Sequence, residues 1–206
     1  ISLKASGVDF TKEEIARRIA SESPHAQRAG TVSSDGAVAV IPILGVISQR
    51  MGMMTDISDP GGTATEGVSN TFRAMLNDPN VKAIVFDVDS PGGTVYGVSE
   101  LAAEIFKARG QKPIVAVANG IAASAAYWIA SAADEVVITP SSEAGSIGVW
   151  AAHFDFSGAD EKAGVKVRLI TYGENKTLGN EFEPLSQEAV AVMQKAVDDY
   201  GHMFDE

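Results

Sequence analysis

The order in which apolar strands, glycines and amphipathic helices follow one another most constrains the fold of this 206-residue chain. Residues 81–88 have the pattern of a β-branched strand, glycines follow at 92 and 93, and apolar spacing over about 95–109 indicates a helix. The same order recurs after residue 113, with a strand, a glycine turn and a helix start, and a further strand is predicted at 135–138. This alternation predicts an α/β domain with a mostly parallel sheet, whose ligand sites lie at the carboxyl ends of the strands.

Ser124 is the first candidate for a chemical role, because it lies where the second of these helices begins. Alanines flank it on both sides, over residues 122–126, and would let a substrate or another backbone segment approach closely. The amides that follow it lie near the positive end of the helix dipole, which favours charge on an oxyanion. The same residues also suit a tight helix-packing seam without chemistry, and both interpretations stay open at this point.

A nucleophilic serine needs a general base, and the three histidines of the chain are weak candidates. His25 falls in a predicted linker, His202 in the last helix, and His153 follows a predicted strand without an acidic residue at motif spacing. A lysine can replace histidine if desolvation keeps it neutral, which requires its pKa to fall about three units from about 10.4. In an acidic chain, only local burial away from carboxylates would achieve this.

The stretch Asp89-Ser90-Pro91-Gly92-Gly93 has two interpretations. Its exposed amides could hold a phosphate, but it lacks the lysine of a Walker loop and the spacing of a dinucleotide-binding loop. The same amides could serve as an oxyanion hole if a nucleophile faced them. Ser90 is a poorer nucleophile than Ser124, because the adjacent proline favours a turn-forming role for its hydroxyl.

Composition excludes several classes of function. The net charge of −11, from 16 basic and 27 acidic residues, argues against binding of a phosphate backbone as the main activity. The chain has no cysteine, so disulfides, thiolate metal sites and a thiol nucleophile are excluded. No apolar run approaches the roughly 20 residues that cross a bilayer. We therefore expect no nucleic-acid partner, no metal, no cofactor and no membrane segment in this sequence.

We predict an N-terminal helix and linker over residues 1–30, followed by one domain over 31–206 with a mobile loop at about 49–65. The N-terminal helix is predicted from Thr11 as its N-cap and Glu14 three residues later. The later part of the chain predicts, in order, a strand at 144–150, a helix capped by Ser157, a strand at 165–171, a polar loop at 172–180 and a last helix opened by Ser186.

Four motifs in a fixed order resemble the signal peptide peptidase A family of serine proteases. They are the stretch 89–93, the stretch 120–130, Gly145-Ser146-Ile147-Gly148-Val149, and Lys176. His153, residues 161–165 and the residues around Lys176 are more similar to the tailed-phage branch, the minor capsid or prohead proteases. The resemblance covers about residues 38–204, most of the chain.

This resemblance implies a crotonase-like fold, shared with the Clp protease proteolytic subunit, and a Ser-Lys dyad. Ser124 would be the nucleophile and Lys176 the general base. The further positions that it implies are the backbone amides of Gly93 and Ala125 as the oxyanion hole, and Gly92, Ser146 and Ile147 as substrate-binding residues. Ala125 and Ala126 stand where small residues, often glycines, are usual in the family, so the pocket should be slightly narrower.

The sequence thus predicts a serine endopeptidase that acts through an acyl-enzyme and processes scaffold or capsid proteins during phage head maturation. Its expected partners are protein or peptide substrates and further copies of itself in a ring. Its expected location is soluble, in the cytoplasm of a bacterial host or inside a prohead. Three alternatives stay open: a cellular peptidase that degrades signal peptides, acyl-CoA chemistry on the related fold, and a non-catalytic ring-forming structural protein.

Overall fold

The computed structural model describes residues 3–5, 8–10, 33–35, 37–50 and 61–205. The chain divides into two compact units, Ile1–Ile147 and Gly148–Glu206. The predicted N-terminal helix and residues 51–60 of the predicted mobile loop lie outside the described residues. Of the helices that the structure describes, none is both long and apolar enough to cross a membrane.

The first unit is built on a seven-stranded sheet, which follows a separate antiparallel pair, β1 (Leu3–Ala5) and β2 (Val8–Phe10). The strands of the large sheet are β3 (Ser33–Asp35), β4 (Val38–Ser48), β5 (Gly62–Ala64), β6 (Ala83–Gly93), β7 (Ile114–Ala123), β8 (Glu135–Ile138) and β9 (Glu143–Gly145). Their order is β3-β4-β6-β7-β8, with β5 beside β4 and β9 beside β7. β3 is antiparallel to β4, and the other described pairs are parallel. The predicted α/β architecture with a mostly parallel sheet is confirmed.

Among the residues of this unit that the structure describes, three helices occur: α1 (Thr65–Asn77), α2 (Val98–Ala108) and α3 (Ala125–Ser131). α1 buries Val68 and Phe72, which lie four positions apart on one face of the helix. The Phe72 ring lies 5.8 Å from the ring of Phe86 on β6, which joins this helix to the sheet. Residues 83–88 of β6 are all buried, as expected of a central parallel strand covered on both faces.

The long strand β4 accommodates Pro42 at an open edge. On one side it pairs with β6 along most of its length. On the other side it pairs with β3 over residues 38–40 and with β5 over residues 46–48. Pro42 lies between these two pairings, where the missing N–H of proline costs no hydrogen bond of the ladder. β4 therefore tolerates a proline in its interior.

The two glycine-rich stretches that the sequence predicts as turns are instead continuations of strands. β6 runs on to Gly93 and β7 runs on to Ala123. The ladder shifts register between Val88 and Ser90, which lets both strands continue past an irregularity. The glycines are required by close approach, since a Cβ on Gly93 would lie 2.6 Å from the Ile47 nitrogen of β4. The prediction of a turn was wrong because both stretches stay paired with neighbouring strands as parts of the sheet.

The second unit contains α4 (Ser157–Ala163) and α5 (Gln187–Asp205). The Ser186 hydroxyl accepts the Ala189 N–H at 3.1 Å, so the predicted start of the last helix is confirmed. Ser157 is the first residue of α4 rather than its cap, and its N–H donates to Asp155 Oδ1 at 2.9 Å. Hydrogen bonds from the Ser157 side chain and backbone lower the pKa of Asp155.

Two predicted strands in the later part of the chain are wrong in extent. The strand predicted at 144–150 is reduced to β9, and residues 146–150 are irregular. Residues 165–171 have the alternation of a strand, but within the described part of the chain they form no ladder. A strand pattern specifies a strand only where a neighbouring strand supplies hydrogen bonds.

Candidate active site

Ser124 joins β7 directly to α3 at a sharp, strained turn. Its backbone has φ 53° and ψ −124°, although it is not a glycine. Such conformations cost about 1–3 kcal/mol and persist where the surroundings fix them, typically at functional sites. Here the Ser124 N–H donates to the Gly145 carbonyl at 2.8 Å, and the Ser124 carbonyl accepts the Trp128 N–H at 2.9 Å. The serine is half-buried, so the turn presents it at the carboxyl end of a central strand.

The end of β6 packs directly against this turn. Gly92 is buried, with φ +96°, and a Cβ placed on it would lie 2.8 Å from Ser124 Cβ. The same Cβ would lie 2.7 Å from the Ala123 oxygen and 3.0 Å from the Ala125 nitrogen. The structure thus brings together three predicted site positions of the first unit: Ser124, Gly92 and Ala125. Gly93 follows Gly92 on the same strand and is exposed.

Ala125 is the first residue of α3 and is buried. Because the first amides of a helix have no partner within the helix, its N–H is of the kind that binds an oxyanion. The other end of this short helix is held by Arg109. Its guanidinium donates to the carbonyl oxygens of Ser131, Ala132 and Ala133 at 2.8, 2.9 and 2.6 Å. No local sequence pattern indicates this clamp, because it joins residues more than twenty positions apart.

Asp89 and Gly120 connect the neighbouring strands β6 and β7 just before the site. Asp89 Oδ1 accepts the Ile121 N–H at 3.1 Å. A Cβ on Gly120, which has φ +155°, would lie 2.7 Å from the Asp89 carboxyl carbon, so a side chain there would displace the Asp89 carboxylate. Asp89 therefore acts on the backbone that leads to Ser124. In the sequence Asp89 adjoins a predicted glycine turn, and no local pattern indicates its contact with Ile121.

Ser146 and Ile147 follow β9 at the end of the first unit. Both are exposed, and Ser146 adopts a positive φ of 54°. They are linked to the turn through Gly145, whose carbonyl holds the Ser124 N–H. The substrate-binding role assigned to them from the motif stays a prediction.

Lys176 belongs to the second unit, in a turn-rich stretch that agrees with the predicted polar loop. Its backbone N–H donates to the Gly173 carbonyl at 3.3 Å. The pairing of Lys176 with Ser124 of the first unit stays a prediction. His153 contacts the Asn180 carbonyl through Nε2 at 2.8 Å, within the same unit.

The chain is similar to known peptidases. Residues 107–206 match the profile described as Peptidase family S49. The chain is 37% identical to the head-tail preconnector protein GP5 of Enterobacteria phage P21, over 82% of this chain and 33% of the relative. It is 32% identical to the capsid assembly protease C of Escherichia phage lambda, over 97% of this chain and 45% of the relative. The chain therefore spans less than half the length of these two relatives.

Among solved structures, the chain is similar to an enoyl-CoA hydratase from Polaromonas sp. JS666, with 17% identity and a TM-score of 0.46. That similarity covers 84% of this chain and 77% of the hydratase chain. The family match and the phage relatives bear out the resemblance carried by the motif order. The similarity to peptidase family S49 thus extends over residues 107–206 of this chain.

Proposed function

We propose that this chain is the catalytic part of a serine endopeptidase in which Ser124 is the nucleophile and Lys176 the general base. The observation that carries the proposal is the strained turn at Ser124, packed against Gly92 at the end of β6. The order of the four motifs and the similarity to peptidase family S49 support the assignment of the base. A strained serine between a strand and a helix, with buried amides beside it, suits attack on an acyl carbon.

In the proposed mechanism, the Ser124 hydroxyl attacks the carbonyl carbon of a peptide bond while Lys176 Nζ takes its proton. The carbonyl oxygen becomes an oxyanion that accepts hydrogen bonds from the amides of Gly93 and Ala125. Loss of one such donor typically costs about 2.7–4 kcal/mol of transition-state stabilisation. The C–N bond then breaks, and the departing amine takes the proton from Lys176, which leaves an acyl ester on Ser124.

Water completes the cycle. Lys176 Nζ takes a proton from a water molecule, whose oxygen attacks the acyl carbon, and the bond to Ser124 Oγ breaks. The proton returns from Lys176 to Ser124, and the carboxyl product leaves. The Cβ atoms of Ala125 and Ala126 occupy space that glycines would leave open, which favours small substrate side chains at the cleaved bond.

The biological setting that we propose is phage head maturation, with scaffold or capsid proteins as substrates. The named functions of the two phage relatives, capsid assembly protease and head-tail preconnector protein, support this setting. Assembly into a homo-oligomeric ring in the host cytoplasm or prohead belongs to the same proposal. Cleavage of purified scaffold protein, compared with cleavage of an isolated signal peptide, distinguishes this role from a cellular peptidase.

The dyad is tested by labelling the full chain with a fluorophosphonate over a range of pH and locating the adduct by mass spectrometry. We expect labelling at Ser124 that rises with pH and disappears in Ser124→Ala. Lys176→Ala should label about 10²–10⁴-fold more slowly, the usual contribution of a general base. Lys166→Ala, which removes another exposed lysine of the second unit, serves as the control. Equal labelling rates for the wild type and Lys176→Ala would refute the assignment of the base.

A further inference from the structure

Ser90 is a buried polar residue of the first unit to which the proposed mechanism gives no role. It lies on β6, opposite Ala122 of β7, and none of its surface is exposed. Its hydroxyl oxygen accepts the N–H of Gly92 at 3.1 Å. Buried polar groups in folded proteins are normally hydrogen-bonded, and here the partner is an amide two residues later in the same strand.

The hydrogen bond from Gly92 determines which amide is left for other partners. Pro91, between the two residues, has no N–H, so Gly92 carries the first amide after Ser90. That amide is directed back to the Ser90 hydroxyl. The next amide along the strand belongs to Gly93, the residue proposed to bind the oxyanion. Ser90 thus fixes the orientation of the peptide that immediately precedes the proposed donor.

Gly92 in turn has no freedom to move independently of the nucleophile. A Cβ at Gly92 would lie within 3.0 Å of three atoms in residues 123–125, so its Cα is in close contact with the turn at Ser124. A small displacement of Gly92 therefore changes the spacing between the end of β6 and Ser124. Displacements of about 1 Å at a catalytic site can cost about 10²-fold in rate.

We infer that Ser90 is a positioning residue: its buried hydroxyl holds Gly92 so that the end of β6 keeps its place against Ser124. This inference rests on the proposed function, because it concerns the geometry of the same site. Ser90 touches neither substrate nor reacting atoms in this scheme, and it acts through Gly92. Its replacement should slow acylation while leaving the affinity for the reagent nearly unchanged.

The test compares Ser90→Ala with Ser131→Ala. Ser131 also makes one hydroxyl hydrogen bond, to the Trp128 carbonyl at 2.9 Å, but at the far end of α3. We expect Ser90→Ala to lower the fluorophosphonate acylation rate constant about tenfold, with reagent affinity within about twofold of the wild type. Ser131→Ala should acylate at the wild-type rate. A wild-type acylation rate in folded Ser90→Ala would overturn the inference.

A second measurement reads the hydrogen bond without relying on activity. Hydrogen exchange of the Gly92 amide, followed by NMR, should be at least about tenfold faster in Ser90→Ala, while residues 83–88 keep their protection. If Ser90→Ala does not fold, Ser90→Cys gives the same comparison, since a thiol is a weaker acceptor. Unchanged Gly92 exchange would overturn the inference. Absence of labelling in the wild type would instead overturn the proposed function, while the Gly92 exchange rates would still test the hydrogen bond.

Discussion

Replacement of Gly92 by alanine tests the packing of β6 against the Ser124 turn. The added Cβ would lie 2.7 Å from the Ala123 oxygen, 2.8 Å from Ser124 Cβ and 3.0 Å from the Ala125 nitrogen. Carbon atoms in proteins normally keep about 3.5–4.0 Å from such neighbours. Two of the three atoms are backbone, so a change of side-chain rotamer cannot relieve the overlap. Residues 123–125 or the end of β6 must move.

The magnitude follows from a matched control, Gly110→Ala. Gly110 has a similar positive φ, +81° against +96° for Gly92, but its Cβ would meet nothing within 4 Å. Both substitutions carry the strain of a positive φ, about 1–2 kcal/mol, and both reduce the entropy of the unfolded chain. Only Gly92→Ala adds overpacking, which costs about 1–3 kcal/mol. The difference between the variants therefore isolates the contact with the Ser124 turn.

The assay is thermal unfolding followed by circular dichroism, together with fluorophosphonate labelling. At about 2–4 °C per kcal/mol for a chain of this size, Gly92→Ala should melt about 2–12 °C below Gly110→Ala. Labelling at Ser124 should fall at least about tenfold in Gly92→Ala, even well below its melting temperature, and stay normal in Gly110→Ala. Equal melting temperatures and equal labelling of the two variants would show that Gly92 does not pack on the nucleophile.

Two further predictions concern stability. Arg109→Ala removes three hydrogen bonds to the carbonyls at the end of α3 and should destabilise the fold by about 1.5–3 kcal/mol. Arg109→Lys should have an intermediate stability. Equal melting temperatures for the wild type and both variants would contradict a stabilising role of Arg109. Hydrogen bonds from Ser157 lower the pKa of Asp155 below its usual 3.8. The ionised Asp155 carboxylate therefore stabilises the folded state above pH 3.8, and this contribution is lost as the pH falls through the lower pKa of the folded state. The stability gap between wild type and Asp155→Ala in urea titrations should therefore narrow below about pH 4, and a gap independent of pH would refute this.

The sequence best predicts the elements that have a long hydrophobic pattern and can pack against any apolar partner. α1 and the first half of β6 follow from apolar spacing and β-branched runs, because burial against any apolar partner satisfies them. The order of the four motifs further indicates the family resemblance and the candidate nucleophile. Element ends are predicted less well, since they depend on which strand lies alongside.

The glycines of β6 show why the geometry of the candidate site cannot be predicted from a local sequence pattern. Read along the chain, Gly92 and Gly93 indicate a turn, because glycine is the commonest turn residue. In the structure they are needed because other backbone lies too close for a Cβ: the Ile47 backbone beside Gly93, and residues 123–125 beside Gly92. Close approach between residues 31 to 46 positions apart leaves no local signal in the sequence, so a glycine required by packing cannot be told from a glycine in a turn.

Ser124 is a second residue whose conformation differs from what the local sequence pattern predicts. A serine before a helix predicts an N-cap, whose side chain would accept a backbone N–H of the first turn. The structure shows no such side-chain cap and a backbone at φ 53° instead. In an ordinary N-cap the serine hydroxyl is hydrogen-bonded to the first turn of the helix. Here the backbone at Ser124 is strained, and its hydroxyl makes no capping hydrogen bond. Because Gly145 and Gly92 hold the turn from two sides, the strain is supported by residues that no helix signal includes. The departure from the capping rule is therefore the structural feature that best distinguishes a nucleophile from a packing seam at this serine.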